Sequence, residues 1–257
     1  MQIIDGIYND TFALNSYEVD PFYHVQTPYY FRIMQEAAGS HSYHRKVSIP
    51  HLQEEQRTWV VTRTVMDIDH YAQWPATLRV ETWPQEPWKL YFPRVCRLYD
   101  GSGTRLFQSL SHWVVMDTCT GRPVKPQTIA DRFGTVEAKT FVEPNLGRRP
   151  TFSPTEYTKT ITYEPSIRYA DCDLNQHVNN VAYLEWMLDS LPHTFRDAHL
   201  ISKVDIAYLA QTYRDDRIIV RTGISDSGLE MTHEVSSLSQ DGEKPVCVAV
   251  TRWIPRV

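Results

Sequence analysis

The residues best equipped for chemistry sit in one polar stretch, Ile167-Arg168-Tyr169-Ala170-Asp171-Cys172-Asp173-Leu174-Asn175-Gln176-His177-Val178-Asn179-Asn180-Val181-Ala182-Tyr183. Run as extended chain, residues 171–177 alternate sides, so Asp173, Asn175 and His177 project together. A carboxylate, an amide and an imidazole then surround one point. Two other uses compete for these residues. Carboxylate and imidazole suit zinc, manganese or iron, but no second histidine falls at ligand spacing in the segment, so no metal is expected. Asp and Asn also serve as turn and helix-cap residues. Cys172 has no basic partner fixed beside it and is not expected to act as a nucleophile. Glu185 and Asp189, four apart, read as a solvated helix face, and His41 and His44 as packing or surface residues.

A helix must carry this stretch away, because Val178, Val181, Leu184, Met187 or Leu188, and Leu191 recur every three or four residues. The spacing predicts a helix over 180–191, capped by Asn179 or Asn180 and stopped by Pro192. A strand at 158–163 leads in. Strands at 202–208, 217–222, 230–235 and 246–253 follow, short and rich in β-branched residues, with Asp241-Gly242 as the final hairpin turn. The first half reads the same way. Thr27 as N-cap and Pro28 at the first helical position open a helix to about Tyr43, with Phe31, Met34, Ala38 and His41 on one face. Strands at 59–65, 78–83, 91–98 and 111–116 come next, and Asp100-Gly101-Ser102-Gly103 turns between the last two.

Between the halves, Pro123, Pro126, Pro144, Pro150 and Pro154 break up any long element. The expected layout is a first domain over 1–125, a linker over 126–155 and a second domain over 156–257. The linker still holds Ile129, Phe133, Val136, Phe141 and Val142, apolar enough to pack. Each domain is one helix with four or five antiparallel strands, an α+β arrangement repeated in tandem.

Composition excludes several classes. With 257 residues, 42% of them hydrophobic, the chain can build a sizeable core. A formal net charge of −5 argues against general nucleic-acid binding, which needs a clustered basic excess. No run approaches a membrane span and no signal peptide is visible, so a cytoplasmic location without membrane partners is expected. Cys96, Cys119, Cys172 and Cys247 form no CxxC pair and fit reduced thiols.

The string Asp173-Leu174-Asn175-Gln176-His177-Val178-Asn179-Asn180-Val181-Ala182-Tyr183 resembles the signature of the acyl-ACP thioesterases, enzymes that release fatty acids from acyl carrier protein. Met34-Gln35-Glu36-Ala37-Ala38-Gly39, Trp59-Val60-Val61-Thr62-Arg63, Val80-Glu81-Thr82-Trp83-Pro84 and Ser111-His112-Trp113-Val114-Val115-Met116-Asp117 match family stretches in order. The resemblance covers nearly the whole chain. It implies two tandem hot-dog folds, each a helix wrapped by an antiparallel sheet, no cofactor, and acyl-ACP as partner to a monomer or homodimer. By the same resemblance Asp173, Asn175 and His177 hold catalytic positions, and the acyl chain lies among Phe31, Met34, Trp59, Trp83 and Trp113. As sequence alone, those five are ordinary core residues. One position departs: the family's Glu-Cys pair falls here on Gln211-Thr212. Gln211 cannot accept a proton as a carboxylate does, which leaves three readings. His177 or Asp173 is the base, Gln211 only positions water, or hydrolysis is weak or lost. Acyl-CoA is the competing substrate. Docking of a carrier protein calls for basic residues, and Arg148-Arg149, Arg168, Lys203, Arg214 and Arg217 are candidates that the sequence does not separate.

Overall fold

The computed structural model describes residues 1–133, 136, 141–239 and 242–256, and divides the chain into two units, Met1–Leu146 and Gly147–Val257. Unit 1 contains β1 (Gln2–Ile4), β2 (Ile7–Ala13), α1 (Thr27–His44), α2 (Ile49–Gln53), β3 (Arg57–Ile68), β4 (Thr77–Pro84), β5 (Phe92–Asp100), β6 (Arg105–Asp117) and α3 (Gln127–Phe133). Unit 2 contains β7 (Lys159–Tyr163), α4 (Asn180–Asp189), α5 (His193–Ala198), β8 (His199–Tyr208), β9 (Arg217–Ile224), β10 (Glu230–Ser239) and β11 (Gly242–Pro255). Starting from the strand that precedes the long helix, the antiparallel order is β2-β4-β5-β6-β3 in unit 1 and β7-β9-β10-β11-β8 in unit 2. These are the same positions in the same order, so the repeat read from the sequence is a repeat of topology.

Helix α1 starts one residue earlier than its sequence suggests. Gln26 is the N-cap, and the Thr27 hydroxyl lies 2.8 Å from Tyr71 Oη across the unit instead of capping. The periodic face is as expected, with Phe31, Met34, Ala38 and His41 all buried. In unit 2 Asn179 caps α4 by accepting from the Val181 N–H at 2.9 Å. That single bond is worth about 1 kcal/mol.

The unit 1 sheet buries both faces. Toward α1 it presents Leu78, Val80 and Thr82 on β4, Phe92, Arg94, Cys96 and Leu98 on β5, and Phe107, Ser109 and Ser111 on β6, all buried. Bonds from Arg94 to His41 and from Ser109 to the Met34 sulfur join this face to the helix. The opposite face carries Trp83, Val95 and Leu110, against which Val136, Val142 and Leu146 pack. Gln85 fixes that cover by donating to the Val142 carbonyl and accepting from its N–H, and His112 Nε2 lies 2.8 Å from the Pro144 carbonyl. The proline-rich stretch thus contains one short helix, α3, and a strap laid over unit 1. Residues 134, 135 and 137–140 of that stretch, and Asp241 of the last hairpin turn, lie outside the described residues.

Unit 2 buries a closed polar network. His233 Nδ1 lies 2.8 Å from Thr222 Oγ1 and Nε2 lies 2.9 Å from Thr251 Oγ1, Trp253 donates to Thr251, and Ser190 lies 3.1 Å from Thr222. Burial holds the His233 pKa down to about 3, and in unit 1 burial beside Arg94 holds His41 down to about 2. Both rings are neutral in the folded chain. An unfolded histidine binds a proton below about pH 6.5, so below that pH the unfolded state binds more protons and stability falls. Each ring is expected to remove about 1.4 kcal/mol per pH unit between pH 6 and pH 4. Denaturant unfolding across that range reads the slope directly. A flat profile would mean that neither ring stays neutral when folded.

Candidate active site

The stretch at 171–178 is a closed loop and not extended chain. Cys172 and Val178 bridge antiparallel, the Asp173 N–H donates to the His177 carbonyl at 3.1 Å, and the Gln176 N–H donates to the Asp173 carbonyl at 2.9 Å. Gln176 takes φ +64° to complete the turn. The cause is Asp173 itself, whose Oδ1 accepts from the Asn175 N–H at 2.8 Å, the turn-forming bond short acidic side chains favour. Strict alternation therefore does not apply. Asp173, Asn175 and His177 share one turn-closed loop.

Each side chain of the loop has a defined position. Asp173 Oδ2 accepts from Asn179 Nδ2 at 3.0 Å, tying the loop to the cap of α4. His177 Nδ1 lies 3.2 Å from the Val178 carbonyl; that oxygen only accepts, so Nδ1 carries the proton and Nε2 of the neutral ring keeps its lone pair. Behind the loop Asp171, 3% exposed, accepts from the Arg168 N–H, Nε and NH2 at 2.7–2.9 Å. Arg168 also donates to Glu185 at 3.0 Å, while Asp189 takes Arg196. Arg168 is thus a brace of the loop. Of the other basic candidates, Arg214 lies near Asp215 and Arg217 near Glu164.

Gln211 reaches the loop through the backbone. The Val178 N–H donates to the Thr212 carbonyl at 2.8 Å, which seats the segment after β8 beside the loop. Gln211 is exposed, and its Oε1 accepts from Tyr213 Oη at 2.9 Å, leaving its amide N–H pair on offer. The five aromatic and apolar positions divide. Phe31 and Met34 lie buried on α1, Trp59 and Trp113 pack around Val47, Leu52, Phe92, Val115, Ile129 and Phe133, and Trp83 lies on the opposite face of the sheet. Among the described residues no three His, Cys, Asp or Glu side chains gather as metal ligands.

Unit 1 holds a second copy of the loop. Val19 and Val25 bridge, the Asp20 N–H donates to the His24 carbonyl at 2.7 Å, the Tyr23 N–H to the Asp20 carbonyl at 3.0 Å, and Tyr23 takes φ +67°. Asp20 Oδ1 accepts from the Phe22 N–H at 2.9 Å, and the Val25 N–H donates to the Ala72 carbonyl at 3.0 Å. Asp20, Phe22 and His24 therefore stand where Asp173, Asn175 and His177 stand in unit 2. The chemistry does not carry over. Phe22 offers no donor, and Gln73 Nε2 lies 3.0 Å from His24 Nε2, on the ring nitrogen that His177 keeps open. The sequence signal for this copy is the shared Asp-x-x-x-His-Val spacing ahead of each long helix.

Residues 5–132 match the acyl-ACP thioesterase N-terminal domain and residues 155–255 match the acyl-ACP thioesterase C-terminal domain. The chain belongs to the acyl-ACP thioesterase family. It is an acyl-ACP thioester hydrolase by class, and acyl carrier protein is the partner of that class. Over 98% of its length it is 27% identical to a dodecanoyl-[acyl-carrier-protein] hydrolase of Cinnamomum camphora and 25% identical to a palmitoyl-acyl carrier protein thioesterase of Gossypium hirsutum. It spans 68% and 65% of those two proteins. The fold matches a 12:0-ACP thioesterase from Umbellularia californica with TM-score 0.86 at 23% identity, each chain covered in full. It also matches an acyl-ACP thioesterase from Bacteroides thetaiotaomicron with TM-score 0.80 at 24% identity, over 99% of this chain and 100% of that one. Two tandem hot-dog folds are thus the architecture of this thioesterase.

The two loops give a matched control for the active site. Asp173→Ala removes two bonds to one carboxylate and is expected to loosen the loop, raising amide exchange at Asn175 and Gln176 by tenfold or more, about 1.4 kcal/mol or above. His24→Ala is expected to leave thioester hydrolysis within about twofold, because its ring nitrogen is already engaged. A deep loss in His24→Ala would make the unit 1 loop part of the chemistry.

Proposed function

We propose that this thioesterase cleaves fatty acyl-ACP to free fatty acid and ACP by direct attack of water, with His177 as the base. The observation that carries this is the His177 Nδ1 contact to the Val178 carbonyl, which leaves Nε2 to take a proton. Asp173 is spent on the Asn175 N–H and the Asn179 amide, which fits a positioning residue better than a base. Water oxygen bonds to the thioester carbon as Nε2 takes its proton. Asn175 donates to the developing oxyanion, as an amide N–H can in a pre-set site. Collapse breaks the carbon–sulfur bond, and the imidazolium returns its proton to the leaving thiolate. Gln211 positions the water through its amide, since its oxygen is held by Tyr213.

The acyl chain is received in unit 1, with Phe31, Met34, Trp59 and Trp113 as wall residues. Trp83, on the other face of the sheet, contributes through the sheet it supports. The protein acts in the cytoplasm as a monomer or homodimer, apart from nucleic acid and membranes. A net charge of −5, four free cysteines among the described residues, and no described helix long and apolar enough to cross a membrane support that reading. A second reading, an acyl- or ACP-binding protein without hydrolysis, draws on Gln211 alone, where a carboxylate base is missing.

Thiol release from acyl-ACP and matched acyl-CoA decides between them. Acyl-ACP is expected to be cleaved faster than acyl-CoA. His177→Ala should lose roughly a hundredfold or more in kcat, the usual contribution of a positioned acid–base group. Gln211→Glu should change the rate by less than His177→Ala does. Release from neither carrier would favour the binding reading, and a His177→Ala protein at full rate would remove His177 from the mechanism.

A further inference from the structure

A row of paired residues crosses the helix-facing side of the unit 1 sheet: Pro84, Arg94, Ser111 and Thr64. The matching row of unit 2 is Ile224, Met231, Thr251 and Val204. The same bond anchors both, Trp113 Nε1 donating to Ser111 at 2.8 Å and Trp253 Nε1 donating to Thr251 at 2.9 Å. Where unit 2 places methionine and valine, unit 1 places a guanidinium and a hydroxyl. The fold itself does not require polar groups there.

Among the described residues the Thr64 hydroxyl has no partner, and the guanidinium meets only neutral ones. Arg94 is 6% exposed, its NH1 lies 3.2 Å from His41 Nδ1 and 3.3 Å from Thr82 Oγ1, and the Phe133 ring lies 5.4 Å away. Among the described residues no carboxylate pairs with it. Since Arg94 donates to Nδ1, the neutral His41 ring carries its proton on Nε2, which among the described residues is buried without a partner, as is Thr64 Oγ1. Burial lowers the Arg94 pKa only to about 10, so the guanidinium stays charged at neutral pH. A buried cation and two buried hydroxyl or ring donors without acceptors are costly to keep. Unit 2 shows the alternative, since both nitrogens of its buried His233 have partners.

We propose that Arg94 and His41, with Thr64 two strands along the same row, form a receiving site inside unit 1 for an oxygen acceptor on the far end of an acyl chain, a terminal carboxylate above all. Each group on offer can donate, and one is a cation, which favours an anionic oxygen. The buried surroundings on α1, the sheet and α3, Phe31, Met34, Phe92 and Phe133, are apolar and suit an anion delivered on hydrocarbon over a hydrated inorganic one. The acyl-chain part of this inference rests on the thioesterase reading; the acceptor part rests on unit 1 alone.

The test uses two uncleavable ligands, S-dodecyl pantetheine thioether and the same thioether ending in a carboxylate, titrated calorimetrically into the whole protein. The carboxylate-ended ligand is expected to bind at least tenfold tighter. Arg94→Met and Thr64→Val install the residues unit 2 holds in the same row; Arg94→Met should bring the two ligands within about twofold, and Thr64→Val should shrink the preference about threefold. Equal binding by the native protein overturns the proposal, as does an undiminished preference in folded Arg94→Met. If circular dichroism shows Arg94→Met unfolded, Arg94→Lys and Thr64→Val decide, and full native preference in both overturns it. Glu137, outside the described residues, is tested as Glu137→Gln; a loss of melting temperature equal to that of Arg94→Met would make the chain's own carboxylate the partner and overturn the proposal. Cleavage of dodecanoyl-ACP without a ligand preference would sink this inference alone. A preference without any cleavage would sink only the thioesterase reading.

Discussion

The carboxylate of Asp173 is the constraint on which the rest of the site depends. One oxygen closes the turn by holding the Asn175 N–H, and the other holds the Asn179 amide, whose own oxygen caps α4. Turn, helix start and reactive side chains are thereby one unit. Hydrogen bonds to a charged acceptor stabilise by about 1.5–3 kcal/mol each, more than neutral ones. The loop can hold Gln176 at φ +64°, an uncommon place for a non-glycine residue, because these bonds outweigh that cost. The proposed mechanism follows from the same contacts: the Asp173 carboxylate is engaged twice, and the proton chemistry is therefore proposed for His177.

The internal repeat gives two loops of one backbone turn with different side chains. Backbone bonds, turn residue and aspartate are shared between residues 20–25 and 173–178. The side chains differ at three positions, Pro21, Phe22 and Tyr23 against Leu174, Asn175 and Gln176, and so do the contacts: Asp20 Oδ1 also accepts from the His24 N–H, and Gln73 Nε2 lies against His24 Nε2. A shared loop conformation therefore does not make the two loops chemically alike. On the proposed mechanism it is the donor at position 175 and the open ring nitrogen at 177 that separate the units, side-chain differences on a shared backbone turn.

Much of this was legible in the sequence, for identifiable reasons. Helices α1 and α4 carry long periodic apolar faces, and β3–β11 except their ends carry β-branched runs, so periodicity found them. Strands β1 and β2 escaped because among their residues only Tyr8 is buried, which leaves no alternation to read. The short helices α2, α3 and α5 have too few turns to show a period. At the site, residue types and spacing identified Asp173, Asn175 and His177 as a group, but for the wrong geometric reason: alternation presumes extended chain, and the aspartate's own bond prevents it. The closeness of Gln211 was not legible from local pattern, since it depends on a backbone bond between Val178 and Thr212, far apart in the chain.

Arg94 marks the limit of pattern reading most clearly. In Phe92-Pro93-Arg94-Val95-Cys96-Arg97-Leu98 two arginines punctuate a strand, and nothing local distinguishes them. Arg97 leans over the Trp83 ring and donates to Gln108 on one face, while Arg94 lies buried on the other, against His41. A buried cation normally appears with a counter-charge, because desolvation outweighs what neutral partners return. Unit 2 meets the same register position with methionine, so selection for folding alone would favour removing the charge. Keeping it is intelligible if something with an oxygen anion comes to it.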